Sequence, residues 1–171
     1  MPSIGANVWQ LKILIATFCA ALSVADANTL QKLSFDRLVD EADLIIRGTV
    51  DELKNRPASD RSSVRTIIKI SVMQQLKGQK VSSVTIEQPG GSLGEVVQGV
   101  PGLADFSSGE DVILFLKRSR ASTFIVVGGR QGKFTTKSQP GSSGVVEDFA
   151  HRTEALDSFL YRLATQVKNS P

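Results

Sequence analysis

His151 is the single histidine of this 171-residue chain, and Glu147 and Asp148 precede it at i−4 and i−3. On a helix that spacing puts carboxylates on the imidazole's face, where they would hold the ring or favour its charged form. Hydrolysis by a triad needs a nucleophile beside the base, and a zinc centre needs several ligands brought together. One histidine and one cysteine, Cys19, do not supply them, so the group reads as a solvated helix pair. Asp105, Glu110 and Asp111 are a second candidate set, since paired carboxylates perform acid–base hydrolysis in glycosidases. Gly109-Glu110-Asp111 is equally the pattern of a turn before a buried strand, and Glu87 and Glu95 make no stronger case. Gly128 to Lys133 fails as a phosphate loop. Phe134 follows Gly132-Lys133 where a metal-binding hydroxyl belongs, no glycine stands five places before Gly132, and the stretch reads as a hairpin turn.

The stretch most suited to binding is the run from Pro89 to Gly109, which holds six glycines and two prolines. Its candidate contact residues are Pro89, Gly90, Gly91, Ser92, Leu93, Gly94, Glu95, Val100 and Pro101. Glycine allows positive φ and close backbone approach, and long loops in compact domains tend to be functional. Val96, Val97, Val100 and Leu103 keep the run partly apolar, so it either packs on the domain or presents a contact surface.

The surrounding elements must hold this loop. Ser34 is placed to cap a short helix with Phe35, Leu38, Val39 and Ala42 on its apolar side. Leu44, Ile46, Gly48 and Val50 then alternate with Arg47, Thr49 and Asp51, which predicts a strand. Asn55 to Ser62 reads as a polar loop. Val64, Thr66, Ile68, Ile70 and Val72 give the clearest two-residue period in the chain. Leu76-Lys77-Gly78 predicts a turn, and Val84 and Ile86 a third strand. Val112 to Leu116 is continuously apolar, as in a central strand covered on both faces, with Phe124 to Val127 as its hairpin partner. Lys133 to Thr136 adds a short strand and Gln139 to Gly144 a connector. Phe149, Leu156, Phe159, Leu160, Leu163 and Val167 recur at helical spacing and predict a C-terminal amphipathic helix. The expected class is mainly β with flanking helices (α+β), a small OB-like antiparallel barrel.

The N-terminus reads as an export leader. Lys12 is the only charge ahead of an uncharged run from Ile13 to Leu22, and Ala25-Asp26-Ala27 is an A-x-A cleavage box. The run is shorter than a stable membrane anchor requires. Phe18 before Cys19 excludes a lipoprotein signal, so cleavage after Ala27 leaves a cysteine-free mature chain without disulfides or thiolate chemistry. The expected organisation is a signal peptide at 1–27, a barrel domain at 28–138, and a connector with its helix at 139–171. The net charge of +3 is spread along the chain. Its densest point, Lys117, Arg118 and Arg120, reads as a solvated strand end, and no nucleic-acid partner is expected.

Residues 34–136 resemble an exported bacterial domain with no assigned activity, found alone or beside secreted metalloprotease-like domains. The resemblance is carried by Ala42-Asp43-Leu44-Ile45-Ile46-Arg47-Gly48, Leu76-Lys77-Gly78, Pro89-Gly90-Gly91, Gly109-Glu110 and Gln131-Gly132-Lys133-Phe134. More distantly, the layout is similar to the netrin-like OB-fold domain of the tissue inhibitors of metalloproteinases. That family places an N-terminal cysteine on the catalytic zinc. A mature chain beginning at Asn28 has no cysteine, so the fold would carry over and that mechanism would not.

These readings lead to an expected function: a secreted or periplasmic, non-enzymatic binding domain using loop 89–109, with no cofactor and no membrane anchor after cleavage. An exported protein, by family analogy a protease, is the expected partner. Two alternatives remain. An Asp/Glu hydrolase would bring Asp105, Glu110 or Glu95 together in a pocket. An OB-type binder of oligosaccharide or single-stranded nucleic acid would need displayed aromatics, yet beyond Trp9 in the leader there is no other tryptophan and one tyrosine, Tyr161.

Overall fold

Alternation and burial together account for the architecture seen in the computed structural model, which describes residues 32–58, 63–120 and 122–170. The expected leader and cleavage box, residues 1–27, lie outside the described residues. The protein is mainly β, with two α-helices among the described residues.

Helix α1 (Phe35–Glu41) starts as its sequence dictates: the Ser34 hydroxyl accepts from the Arg37 amide at 3.2 Å, satisfying one of the orphan donors of the first turn. At its other end the Lys77 ammonium donates to the Val39 carbonyl at 2.7 Å. Strands β1 (Leu44–Pro57) and β2 (Val64–Lys77) form a long antiparallel ribbon with three register shifts, which bend it. Gly48 sits at one of these shifts, where a Cβ would overlap the Ser71 carbonyl.

β3 (Ser83–Pro89) continues the sheet beside β2. After it come β4 (Gly91–Leu93) and β5 (Val96–Gln98), a separate two-stranded hairpin. β6 (Asp111–Arg120) pairs with the first half of β1 on one side, and on the other with β7 (Thr123–Val126) and β8 (Lys133–Lys137). β7 also meets β3 through one parallel bridge, Ile86 with Phe124. β9 (Val145–Glu147) and β10 (Thr153–Ala155) extend the sheet beyond β8, and α2 (Leu156–Asn169) ends the fold.

β6 divides the interior. Val112, Leu114 and Leu116 point into a cluster with Leu44, Ile46, Val50, Ile68, Ile70, Val84 and Ile86. Ile113 and Phe115 point the other way, under the helices, against Leu38, Val39, Phe134, Phe159 and Leu163. The continuous apolar run is therefore covered on both faces. On the helix side Phe35, Phe115, Phe134 and Phe159 pack edge-on or tilted, with centroids 4.9 to 5.8 Å apart, a geometry that adds roughly 0.5–1.5 kcal/mol per pair beyond burial.

Five local expectations are corrected. Asn55 to Pro57 belong to β1, because pairing with Thr66, Arg65 and Val64 outweighs their polar character. Leu76 and Lys77 remain in β2, and the chain turns only at Gly78, φ +94°, where it passes the Asp43 carbonyl. The run 89–109 is not all loop, since it contains β4 and β5. Residues 128–133 do not form a hairpin turn. β7 and β8 both lie against β6, and 127–132 are an excursion containing a 3-10 turn (Gly129–Gly132). Phe149 is not on α2; it lies in the β9–β10 connection, and with it His151 leaves the helix expected to carry it.

Candidate functional site

The sheet holds the β4–β5 hairpin firmly at its base. Gly90 donates its amide to the Val64 carbonyl at 2.8 Å, and the Val64 amide donates to Gln98 Oε1 at 2.9 Å. The buried Thr66 hydroxyl lies 2.8 Å from the Gly90 carbonyl and 2.9 Å from Asn55 Oδ1. Gly91 has φ +125°, and a Cβ there would stand 2.5 Å from Thr66 Oγ1 and 2.6 Å from Asn55 Oδ1. No other residue type fits that approach without displacing both side chains.

Beyond this base the hairpin is open to solvent. Ser92, Gly94 and Glu95 are exposed, and Gly94 takes φ +60° in the turn. Leu93, Val96 and Val97 are 39%, 59% and 78% exposed. Pro89 is exposed at the end of β3, opposite Arg65, while Val100 is half-buried against the Gly90 side of the base and Pro101 is exposed. The structure thus brings Gly91 to Glu95 into one projecting element, keeps Pro89 in β3 and the buried Gly90 at the hairpin's base, and leaves Val100 and Pro101 in the return segment. Val96 and Val97, the most exposed apolar pair, were not among the candidate contact residues. Their signal was an adjacent β-branched pair just after Gly94-Glu95, a turn followed by a strand.

The remainder of 89–109 is tied back to the sheet. Ala104 is buried, its carbonyl accepting from Gln88 Nε2 at 3.0 Å, and Gly109 donates its amide to the Val50 carbonyl at 2.7 Å.

The carboxylates proposed for hydrolysis have separate hydrogen-bond partners. The two Glu110 oxygens lie 2.7 and 2.8 Å from Lys133 Nζ, and one accepts from Thr135 Oγ1 at 2.7 Å. Asp111 accepts from Thr49 Oγ1 at 2.6 Å, Glu87 pairs with Arg56 at 3.2 Å, and Glu95 stands on the hairpin turn. Asp105 lines a cleft of about 330 Å³, together with Arg130, Lys133, Thr135, Glu147, Phe149 and His151.

His151 sits in the tight loop joining β9 to β10. Asp148 organises that loop: its Oδ1 accepts from the amides of Ala150 at 2.8 Å and Arg152 at 3.0 Å, and its Oδ2 from Arg152 Nε at 2.8 Å. Partial burial opposes the charged form of Asp148, but these donors outweigh it and hold the carboxyl below its usual range. His151 Nδ1 lies 2.6 Å from Glu147 Oε1, and Lys137 pairs with the other Glu147 oxygen. The Lys137 and His151 hydrogen bonds place Glu147 below its usual range too.

A second cleft of about 380 Å³ adjoins the first, sharing Asp148 and Phe149. Its floor is apolar, with Phe35, Leu38, Phe134 and Val146, and its rim carries Arg152 and Arg162. The Arg162 guanidinium lies 3.8 Å from the Phe35 ring centroid and pairs with Glu154. Lys117, Arg118 and Arg120 are exposed at the β6–β7 end, where Arg118 lies over the Phe124 ring. Tyr161 is exposed on α2. Among the described residues, no group of three or more His, Cys, Asp or Glu is placed to hold a metal ion, and no helix is long and apolar enough to cross a membrane. No protein-family model matches the sequence, and no curated protein matches it significantly.

Proposed function

We propose that this chain is an exported, non-enzymatic binding domain that recognises a protein partner through the β4–β5 hairpin. One observation carries the reading: Leu93, Val96 and Val97 are exposed together on a short ribbon whose base is hydrogen-bonded into the sheet. A large apolar side chain in water forgoes about 1.5–3 kcal/mol that burial would return. Leu93 and Val96 are cross-strand partners on one face of the ribbon and Val97 lies on the other, so the projection offers a partner apolar side chains on both faces.

The scaffold supports the same reading. β1 pairs with β2, β2 with β3, β3 with β7, β7 with β6 and β6 again with β1. That cycle of pairings, with one parallel bridge, supports a small OB-like barrel. Barrels of this kind display loops from a stable frame. Export follows from the leader sequence and its A-x-A box. The resemblance to domains beside secreted metalloproteases makes an exported protease the partner class to test first.

The test uses the protein as bait in the exported fraction of its source cells, beside a Leu93→Ser/Val96→Ser/Val97→Ser variant. The expected result is one partner retained by the native chain and lost by the variant at unchanged melting temperature. Equal retention of that partner by the variant overturns the assignment to the hairpin.

A further inference from the structure

Arg130, which follows a sharp glycine bend, and His151, which has a strained backbone, both line the 330 Å³ cleft. On one wall Gly128 and Gly129 both take positive φ, 62° and 58°, and the Arg130 amide donates to the Gly102 carbonyl at 2.9 Å. A Cβ on Gly129 would overlap that carbonyl, so the chain is bent tightly to set Arg130 at the rim. On the other wall His151 has φ 60°, the one non-glycine residue with positive φ among the described residues. Short hairpin loops favour glycine there. A histidine keeps a strain that glycine would relieve, and such strain concentrates at binding sites.

Most charges around this cleft are already matched. Lys133 is held by Glu110, Asp148 by Arg152, and Glu147 by Lys137 and His151. Two are not. Arg130 forms no ion pair among the described residues, and its guanidinium carbon lies over the Phe149 ring, 5.5 Å from the centroid. That ring contact uses none of the N–H donors, which suit a carboxylate. Asp105 is exposed, and its carboxylate has no partner among the described residues; only its backbone carbonyl is engaged, by Lys133 at 2.5 Å.

We infer that this cleft binds a free α-amino acid, with the ligand carboxylate on Arg130 and His151, its ammonium on Asp105 and an apolar side chain against Phe149. A simple anion would meet Asp105 and a simple cation would meet Arg130. A zwitterion answers both charges. The apolar floor of the adjoining cleft, which shares Phe149, favours an apolar side chain. This inference stands independently of the hairpin reading.

The test is calorimetric titration of the purified protein with L-leucine, L-phenylalanine and L-alanine, followed by N-acetyl-L-leucine and L-leucinamide. Saturable binding of an apolar amino acid is expected, with each blocked analogue weaker by about tenfold or more, as loss of one charged contact implies. Arg130→Gln should weaken binding by a similar factor. His151→Gly should raise the melting temperature by a few degrees while weakening the same ligand, a split that a purely structural histidine would not produce. The Val97→Asp variant should bind the amino acid as the native chain does. No saturable binding of any of the three amino acids overturns the inference. Equal affinity for the N-acetylated analogue, or a stabilised His151→Gly variant with unchanged affinity, overturns it as well.

Discussion

Two hairpins of three-residue strands, β4–β5 and β9–β10, show opposite ways of ending at a surface. β4–β5 spends its hydrogen bonds at the base, on Val64, Thr66 and Gln98, and carries unburied Leu93, Val96 and Val97 beyond it. β9–β10 spends its polar groups at the tip, where Asp148 gathers the Ala150 and Arg152 amides and the Arg152 guanidinium. A polar tip tied to itself needs no second molecule to hold its loop and forms one wall of a cleft. An apolar tip can gain burial only from a second molecule. Anchoring hydrogen bonds are common to both hairpins, and the location of the unsatisfied surface separates their roles.

The contrast can be tested first through the core. Phe159 packs with Phe134 and Val146 on the helix side, while β4–β5 rests on β1 and β2. Phe159→Ala should cost about 3–5 kcal/mol in urea denaturation. Hydrogen exchange should show protection falling first in β8 to β10. Equal loss in β4–β5 would mean the two regions are not separately supported.

Gly91→Ala comes next. With φ +125° and Thr66 Oγ1 2.5 Å from the added Cβ, it should destabilise by about 1–3 kcal/mol. The Gly90 amide should exchange faster and partner capture should fall, while the β9–β10 loop keeps its chemical shifts.

Asp148→Asn should cost about 1 kcal/mol through the lost Arg152 pairing. The sign of its pH dependence follows from a folded-state value below the unfolded one. The native carboxylate stabilises the fold above the ordinary carboxylate range, and that contribution disappears as pH falls from roughly 4 through the folded value. The variant should therefore show a flatter acid limb in thermal melts below that pH. An unchanged limb would place the organising charge elsewhere. Val97→Asp is the smallest perturbation of the fold, within about 0.5 kcal/mol because the side chain is exposed. It should still remove partner capture, and if it does not, the apolar tip is not the contact.

Much of the fold could be read along the chain, because neighbouring residues carry the period of the element they form. The alternation from Val64 to Val72 is the inner face of β2, the Val112–Leu116 run is buried on both sides, and Ser34 caps α1. The candidate loop was legible as glycine-rich, but not as a hairpin. Gly94-Glu95 marks a turn only once Leu93 is known to face Val96. The stripe of α2 was also legible from Leu156 on, yet Phe149 shares its spacing without sharing its helix.

What the residues fixed locally was the set of strands, the helix cap and the buried faces, since these depend on contacts a few positions away. Three things came from long-range closure instead: the Ile86–Phe124 bridge, the return of β6 to β1, and the meeting of Asp105, Arg130 and His151 at one cleft. No local period encodes them, because each joins segments whose sequence neighbours are satisfied elsewhere. They follow only when burying two apolar clusters on either side of β6 forces distant strands into register.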